Sequence, residues 1–358
     1  MLFIVYTTGR CNLSCSYCGG SFNPDIVPWE VKYDPNKLGD LVSDGDVVAF
    51  YGGEPLLNLR FIREVMEVLG DCTYVLQTNG LLLGELPHEL IQAFDTILVS
   101  IDGVSTITDK YRGRGVYERV LRNVHRLLGM GYGGDIVARM TVNEDTDIYR
   151  DVSHLLELGV FNHVHWQLNF VWTCRDVWKD PMHWINNNYA SGLEMLMNKW
   201  ICALESGEVL GIAPFQGVLK RLLSNDGTAP PCGSGVDSFT ILPNGRIICC
   251  PIAVSEEWAH VGVLGEIDRS ELKKYGTKIG EPCISCRYYR ACGGRCLYTH
   301  VEKLWGEAGD RAICKSAQVL IDLVEKNLQL IKELINEHGV SLENVLYPPY
   351  NNTVEIIP

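Results

Sequence analysis

Cys11, Cys15 and Cys18 stand in the run GRCNLSCSYCGG, a CxxxCxxC spacing directly after an apolar, strand-like start at residues 2–6. Thiolate is the soft ligand that iron–sulfur clusters select. Three thiolates so spaced can wrap three irons of a [4Fe–4S] cube and leave the fourth iron without a protein ligand. Chemistry at a cluster needs that incompleteness, because a fully liganded cube can only pass electrons. A structural zinc knot and disulfides are the alternatives. A zinc knot wants a fourth Cys or His nearby, and none lies between Met1 and Asp71.

The whole chain narrows these choices. Its 358 residues hold 14 cysteines, a density that in a small secreted domain would mean disulfides. The N-terminus has neither a basic n-region nor an apolar h-region, and no apolar run reaches a membrane span of about 18 residues. Metal-bound thiolates in a reducing cytoplasm fit better. A hydrophobic fraction of 46% supports a sizeable core, and the length suggests about two domains. The net charge of −13 argues against nucleic acid as the main partner, since phosphate binding wants a basic surface.

Elements that could position the cysteines alternate regularly up to about residue 170. Strand candidates lie at 2–6, 46–51, 73–77, 96–101, 135–141 and 163–170, with amphipathic stretches at 59–69, 87–94, 116–128 and 148–158. Such βα alternation predicts a parallel sheet with helices outside, and polar motifs fall at the strand ends, where barrel sites gather. Residues 172–223 read as a helical linker rich in Trp, Asn and Met, with a loop at Asn186–Asn187–Asn188. Residues 224–315 are dense in cysteine, glycine and proline. A helix over 316–337, with apolar residues at helical spacing, and a tail follow within 316–358.

The CxxxCxxC spacing, with Tyr17 just before its third cysteine, resembles the radical S-adenosylmethionine (SAM) superfamily. That resemblance implies a partial (β/α)6 TIM-like barrel over residues 1–171, with SAM chelated to the open iron. It implies reductive cleavage of SAM to methionine and a 5′-deoxyadenosyl radical that abstracts hydrogen. Gly52, Gly53 and Glu54 follow the second strand candidate and resemble the family's GGE motif. There glycines permit close backbone approach and Glu54 can accept from the SAM ammonium. Thr78 and Asn79 resemble the family's TNG segment. Ser100 and Asp102 close the fourth candidate and could reach the ribose. Arg139 is a cation in an apolar strand and needs an anionic partner: the SAM carboxylate or a structural salt bridge. Gln167 or Asn169 could face adenine or substrate.

A second constellation reads Cys232, then Gly245 with Cys249 and Cys250, then Cys283-x2-Cys286-x5-Cys292-x3-Cys296, then Cys314. It resembles the seven-cysteine SPASM pattern, with a zinc ribbon as the alternative. The resemblance implies two auxiliary [4Fe–4S] clusters, three in all. One takes Cys283, Cys286, Cys292 and Cys314; the other takes Cys232, Cys250 and Cys296. The fourth ligand of the latter varies in the family; either Cys249 supplies it or one iron is open, and the open iron is favoured. Cys72, Cys174 and Cys202 match no motif and are expected as small buried apolar residues.

Relatives with this layout mostly modify ribosomally made peptides, by thioether or carbon–carbon crosslinks, epimerisation or oxidation. The resemblance therefore implies a peptide-modifying oxidoreductase fed by a low-potential donor such as flavodoxin or ferredoxin. Sulfatase-maturating members carry an acidic base directly after the second SPASM cysteine. Pro251 occupies that position here, which argues against formylglycine formation. The chain begins at its first strand, so leader-peptide docking is expected on another surface or a separate protein. The aromatic linker (Trp172, Trp178, Trp184, Tyr189, Trp200) is a candidate peptide surface, with core or domain-interface packing the more frequent explanation for such residues. Small-molecule radical chemistry, such as haem-pathway decarboxylation, and a non-catalytic electron carrier are the competing functions.

Overall fold

Leu2, Phe3, Val5, Val48, Phe50, Val75, Leu76, Ile97 and Val99 are buried along consecutive strands. Runs apolar on both faces are what a parallel sheet covered on both sides demands. The computed structural model describes residues 1–171, 178–224, 230–276, 278–304 and 306–347. Its strands are β1 (Leu2–Thr8), β2 (Val47–Gly52), β3 (Thr73–Thr78), β4 (Thr96–Ser100), β5 (Asp135–Val142), β6 (His163–Leu168), β7 (Ser238–Ile241), β8 (Arg246–Ile248) and β9 (His260–Val263). Six of them answer the six expected from sequence, with ends shifted by one or two residues. The last expected strand stops at Leu168, where a 3₁₀ turn over Asn169–Val171 takes over.

The chain divides into two compact units. The first comprises Met1–Ile101, Thr108–Val137 and Gly233–Lys278. Its strands run in the order β4-β3-β2-β1-β7-β8-β9. β1 pairs in parallel with β2, Leu2 opposite Val47 through Tyr6 opposite Tyr51, and on its other edge with β7. β2–β3 and β3–β4 are also parallel, while β7–β8 and β8–β9 are antiparallel. The cysteine-rich segment thus contributes β7 directly beside β1, with β8 and β9 beyond it. The helix Leu59–Leu69 starts where Asn58 Oδ1 accepts from Phe61 N–H, and it buries Phe61, Ile62, Val65 and Leu69.

The second unit comprises Asp102–Ile107, Ala138–Cys232 and Ile279–Pro358, so β5 passes from the first unit into it. Helices Ala190–Leu204, Ala213–Leu223 and Gly306–Glu337 pack together there. Trp166 and Trp200 meet Phe215 at ring-centroid distances of 6.4 and 5.9 Å. Two secondary-structure expectations are corrected within this unit. The Asn186–Asn188 run is a π-helical turn, Ile185–Tyr189, because burial of Ile185 and Tyr189 outweighs the low helix propensity of Asn. The terminal helix begins at Gly306, ten positions before 316, and so carries Cys314 within it. Trp178, Trp184, Tyr189 and Trp200 are all buried, which makes them core. Trp172, Cys174 and the tail after 347 lie outside the described residues. Cys202 is exposed, contrary to expectation, and Cys72 is half-buried.

Candidate active site

The loop after β1 is built to present sulfur. Thr8 Oγ1 accepts from Arg10 N–H at 3.1 Å and donates to Trp29 O at 2.6 Å, which turns the chain out of the sheet. Cys15 O accepts from the N–H groups of Cys18 and Gly19 at 3.1 and 2.9 Å, closing the turn that holds the second and third cysteines. Leu13 N–H points at Cys11 Sγ, 3.4 Å away. The Cys18 thiol is brought down to about 6, first by a hydrogen bond with the Cys15 thiol, with the Gly20 N–H and the Arg112 guanidinium adding to it against burial. Burial pushes the Cys11 thiol up, partly offset by the Leu13 N–H. Donors and a cation facing thiol sulfur favour thiolate, and such a loop fits a metal cluster. The Tyr17 ring lies 6.0 Å from that of Tyr111 at a tilt of 33°, with the Arg112 guanidinium 5.5 Å from its ring centroid.

Gly52 and Gly53 owe their identity first to this loop. A Cβ on Gly52, at φ +136°, would lie 2.3 Å from Thr8 O, and one on Gly53 would lie 2.1 Å from Arg10 O. Their backbone continues the β1–β2 pairing outward: Gly53 N–H donates to Thr8 O at 3.0 Å and Glu54 N–H to Arg10 O at 2.7 Å. Glu54 is fully buried. Its Oε1 accepts from Leu56 N–H (3.1 Å) and Thr78 Oγ1 (2.7 Å), and its Oε2 accepts from Asn79 N–H (2.7 Å). A carboxylate offers about four acceptor sites, which leaves one on Oε2 among the described residues. Burial raises this carboxyl to about 7 despite those three donors.

Asn79 links the two motifs. Its side-chain amide donates to Asn12 Oδ1 at 2.7 Å and approaches Cys11 Sγ at 3.9 Å, while its own N–H holds Glu54. The structure therefore brings together the cysteine loop, Gly52-Gly53-Glu54 and Thr78-Asn79. Ser100 ends β4 in the same unit, half-buried. Asp102 and Arg139 belong to the second unit. There Asp102 is fully buried and accepts from Thr141 N–H at 2.8 Å; Arg139 Nη1 lies 3.5 Å from Met140 O. Asn169 donates to Asn143 Oδ1 at 2.8 Å. Gln167 is buried, and neither of its amide atoms has a partner among the described residues. A buried amide left so costs about 1–3 kcal/mol, which a bound ligand would recover.

Cys283, Cys286, Cys292 and Cys314 line one cavity of about 120 Å³, together with Cys296, Arg295 and His300. Burial pushes the Cys283 and Cys314 thiols up, and Cys292 to about 12, so bound metal is what would hold them as thiolates. A cube spreads its thiolates over four corners, wider than four ligands around one ion. No group of three or more His, Cys, Asp or Glu among the described residues is arranged for a single metal ion. Four cysteines around a cavity fit a cluster. Cys232 and Cys296 fall in the second unit, Cys249 and Cys250 in the first. Cys249 and Cys250 have different neighbours. Burial raises the Cys249 thiol, partly offset by the Tyr275 side chain and Lys278 nearby; Cys250 adjoins Tyr6, whose hydroxyl donates to Pro251 O at 2.7 Å.

Arg112 and His300 carry no signal in their local sequence, because packing of separate segments places them.

Residues 5–156 match the profile described as the Radical SAM superfamily. The chain is 23% identical over 334 residues to a cysteine-type anaerobic sulfatase-maturating enzyme of Clostridium perfringens, covering 82% of this chain and 88% of that one. It is 24% identical over 320 residues to the mycofactocin maturase MftC of Mycobacterium tuberculosis, covering 81% and 76%. Native anSMEcpe with bound AdoMet superposes with a TM-score of 0.70 at 17% identity, over 94% of this chain and all of the other. No helix among the described residues is long and apolar enough to cross a membrane. With the cysteine loop and its GGE partner in one unit and these relatives along most of its length, the chain is an enzyme that carries a radical SAM domain at residues 5–156.

Proposed function

We propose that the enzyme cleaves SAM reductively and abstracts hydrogen from a ribosomally made peptide or protein, leaving a crosslink, an epimerised centre or an oxidised side chain. When bound, the open cluster supplies the electron that splits SAM into methionine and a 5′-deoxyadenosyl radical. Cys11, Cys15 and Cys18 hold that cluster. The remaining acceptor position on Glu54 Oε2 takes the SAM ammonium, while Thr78 and Asn79 keep the carboxylate aimed. Ser100 and Asp102 serve the ribose, Arg139 serves the SAM carboxylate, and Tyr17 covers the loop beside the third cysteine. Gln167 offers one donor and one acceptor, the pair that a peptide amide matches. Cys283, Cys286, Cys292 and Cys314 hold one auxiliary cluster, and Cys232, Cys250 and Cys296 the other. One iron of that second cluster is open, with Cys249 as the alternative fourth ligand.

The observation that carries this reading is the continuous path from Glu54 through Asn79 to Cys11 Sγ, which fixes a cation acceptor beside the thiols. Peptide or protein as substrate is supported by relatives named as maturases along four-fifths of the chain. Pro251, where a carboxylate would stand, supports a reaction other than formylglycine formation. A low-potential flavodoxin or ferredoxin and a reducing cytoplasm complete the proposal. The test is anaerobic reconstitution with SAM and dithionite, followed by mass spectrometry of short peptides encoded beside the gene. 5′-Deoxyadenosine together with a mass change in one peptide is the expected result. Absence of SAM cleavage by iron-loaded protein would overturn the reading.

A further inference from the structure

His300 lies on the helix Leu297–Glu302, one turn after Cys296, with its ring in the cavity of Cys283, Cys286, Cys292 and Cys314. Gly280 N–H donates to His300 Nε2 at 3.1 Å. An accepting nitrogen must keep its lone pair, so the ring is neutral and its single hydrogen sits on Nδ1. Nδ1 is 3.6 Å from Cys283 Sγ, within the longer reach of a hydrogen bond to sulfur. The residue that sets the tautomer is tied to the same turn as the thiol. Gly280 O accepts from Cys283 N–H at 3.0 Å and from Ile284 N–H at 3.3 Å. Imidazole, sulfur and the backbone that orients both therefore form one closed arrangement.

We propose that His300, as a positioning residue, donates Nδ1–H to Cys283 Sγ and raises the reduction potential of the cluster held at that cavity. This rests on the reading that these four cysteines hold a cluster. A hydrogen bond to a ligand sulfur stabilises the more negative, reduced state over the oxidised one, the lever by which surroundings tune such centres. Lys303 and Asp310 line the same cavity and lie near the ring, but neither hydrogen-bonds this sulfur.

The test compares His300→Leu, which removes the donor, with His300→Asn, whose amide nitrogen can stand near the Nδ1 position. Both are reconstituted, and their midpoints are read by redox titration with electron paramagnetic resonance. With iron content unchanged, His300→Leu should lower the reduced-to-oxidised ratio of one auxiliary cluster about tenfold at fixed potential, about 59 mV for a one-electron couple. His300→Asn should recover most of that shift. Independently, nitrogen-15 spectra of the metal-free wild type should show Nδ1 protonated and Nε2 bare, a readout that stands if His300→Leu fails to load. Unmoved midpoints in fully loaded His300→Leu, or a proton on Nε2, would overturn the proposal. Wild type short by about four irons would instead overturn the underlying cluster reading.

Discussion

Replacing Glu54 with glutamine tests the buried hub on which the site is hung. Folding carries this carboxyl from an ordinary value of 4.5 to about 7, because burial disfavours its charge. The folded state therefore holds a proton that the unfolded state has released between those limits, so stability falls as pH rises from about 4.5 through 7 and then levels. At 1.36 kcal/mol per pH unit, the change between pH 5 and pH 8 comes to about 2–3 kcal/mol. Glutamine keeps acceptors for Leu56 N–H and Thr78 Oγ1 but turns an NH₂ toward Asn79 N–H, a cost of about 1–3 kcal/mol at every pH. Urea unfolding of metal-free wild type and Glu54→Gln at pH 5 and pH 8 measures the difference. It should favour wild type most at pH 5 and shrink by about 2–3 kcal/mol at pH 8. A difference that stays flat across that range would refute the argument. SAM gives a second readout. An ammonium beside Oε2 favours the charged carboxylate, so binding should release protons near pH 7 and tighten toward pH 8; proton-neutral binding would remove the ammonium from Glu54.

Reconstituted protein should carry roughly 12 irons per chain, falling to about eight when Cys11, Cys15 and Cys18 are all replaced by alanine; zinc without charge-transfer absorbance would contradict this. Gly53→Ala puts a methyl 2.1 Å from Arg10 O and must push the cysteine loop aside, so about four irons should be lost while the other clusters stay. Iron content equal to wild type would show that the loop tolerates the shift. Cys249→Ala should keep its full iron and its cluster spectra, and loss of about four irons would instead make Cys249 a ligand.

The strands were legible because each is apolar on both faces and separated from the next by an amphipathic stretch, a pattern that only a covered parallel sheet requires. The site motifs were legible for a related reason, since each sits where a strand ends. What stayed hidden was tertiary. β7 and β8 carry only a short hairpin signal, Asn244-Gly245 between apolar runs, and the same Gly245 also fits the cysteine spacing. Glycines 52 and 53 read in sequence as room for a ligand, whereas the nearest atoms are the carbonyls of Thr8 and Arg10. Asn186–Asn188 reads as a loop from propensity, and only the burial of Ile185 and Tyr189 reveals the helical turn. Arg112 near Cys18 and His300 beside Cys283 depend on packing that no local spacing encodes.

Cys314 sits inside the 32-residue helix Gly306–Glu337, while Cys283 stands on a loop 31 positions earlier, the difference of 314 and 283. Metal shared by the two would act as a staple across that segment. By analogy with a disulfide closing a loop of this length, it would withhold about 3–4 kcal/mol of entropy from the unfolded chain, a large part of a typical margin of about 5–15 kcal/mol. The helix packs through Leu320, Ile321, Val324 and Ile331, so loosening its N-terminal turns exposes apolar surface. Oxygen damage or iron starvation would then reach the cell as fewer surviving molecules, cleared by proteases, before it appeared as slower turnover.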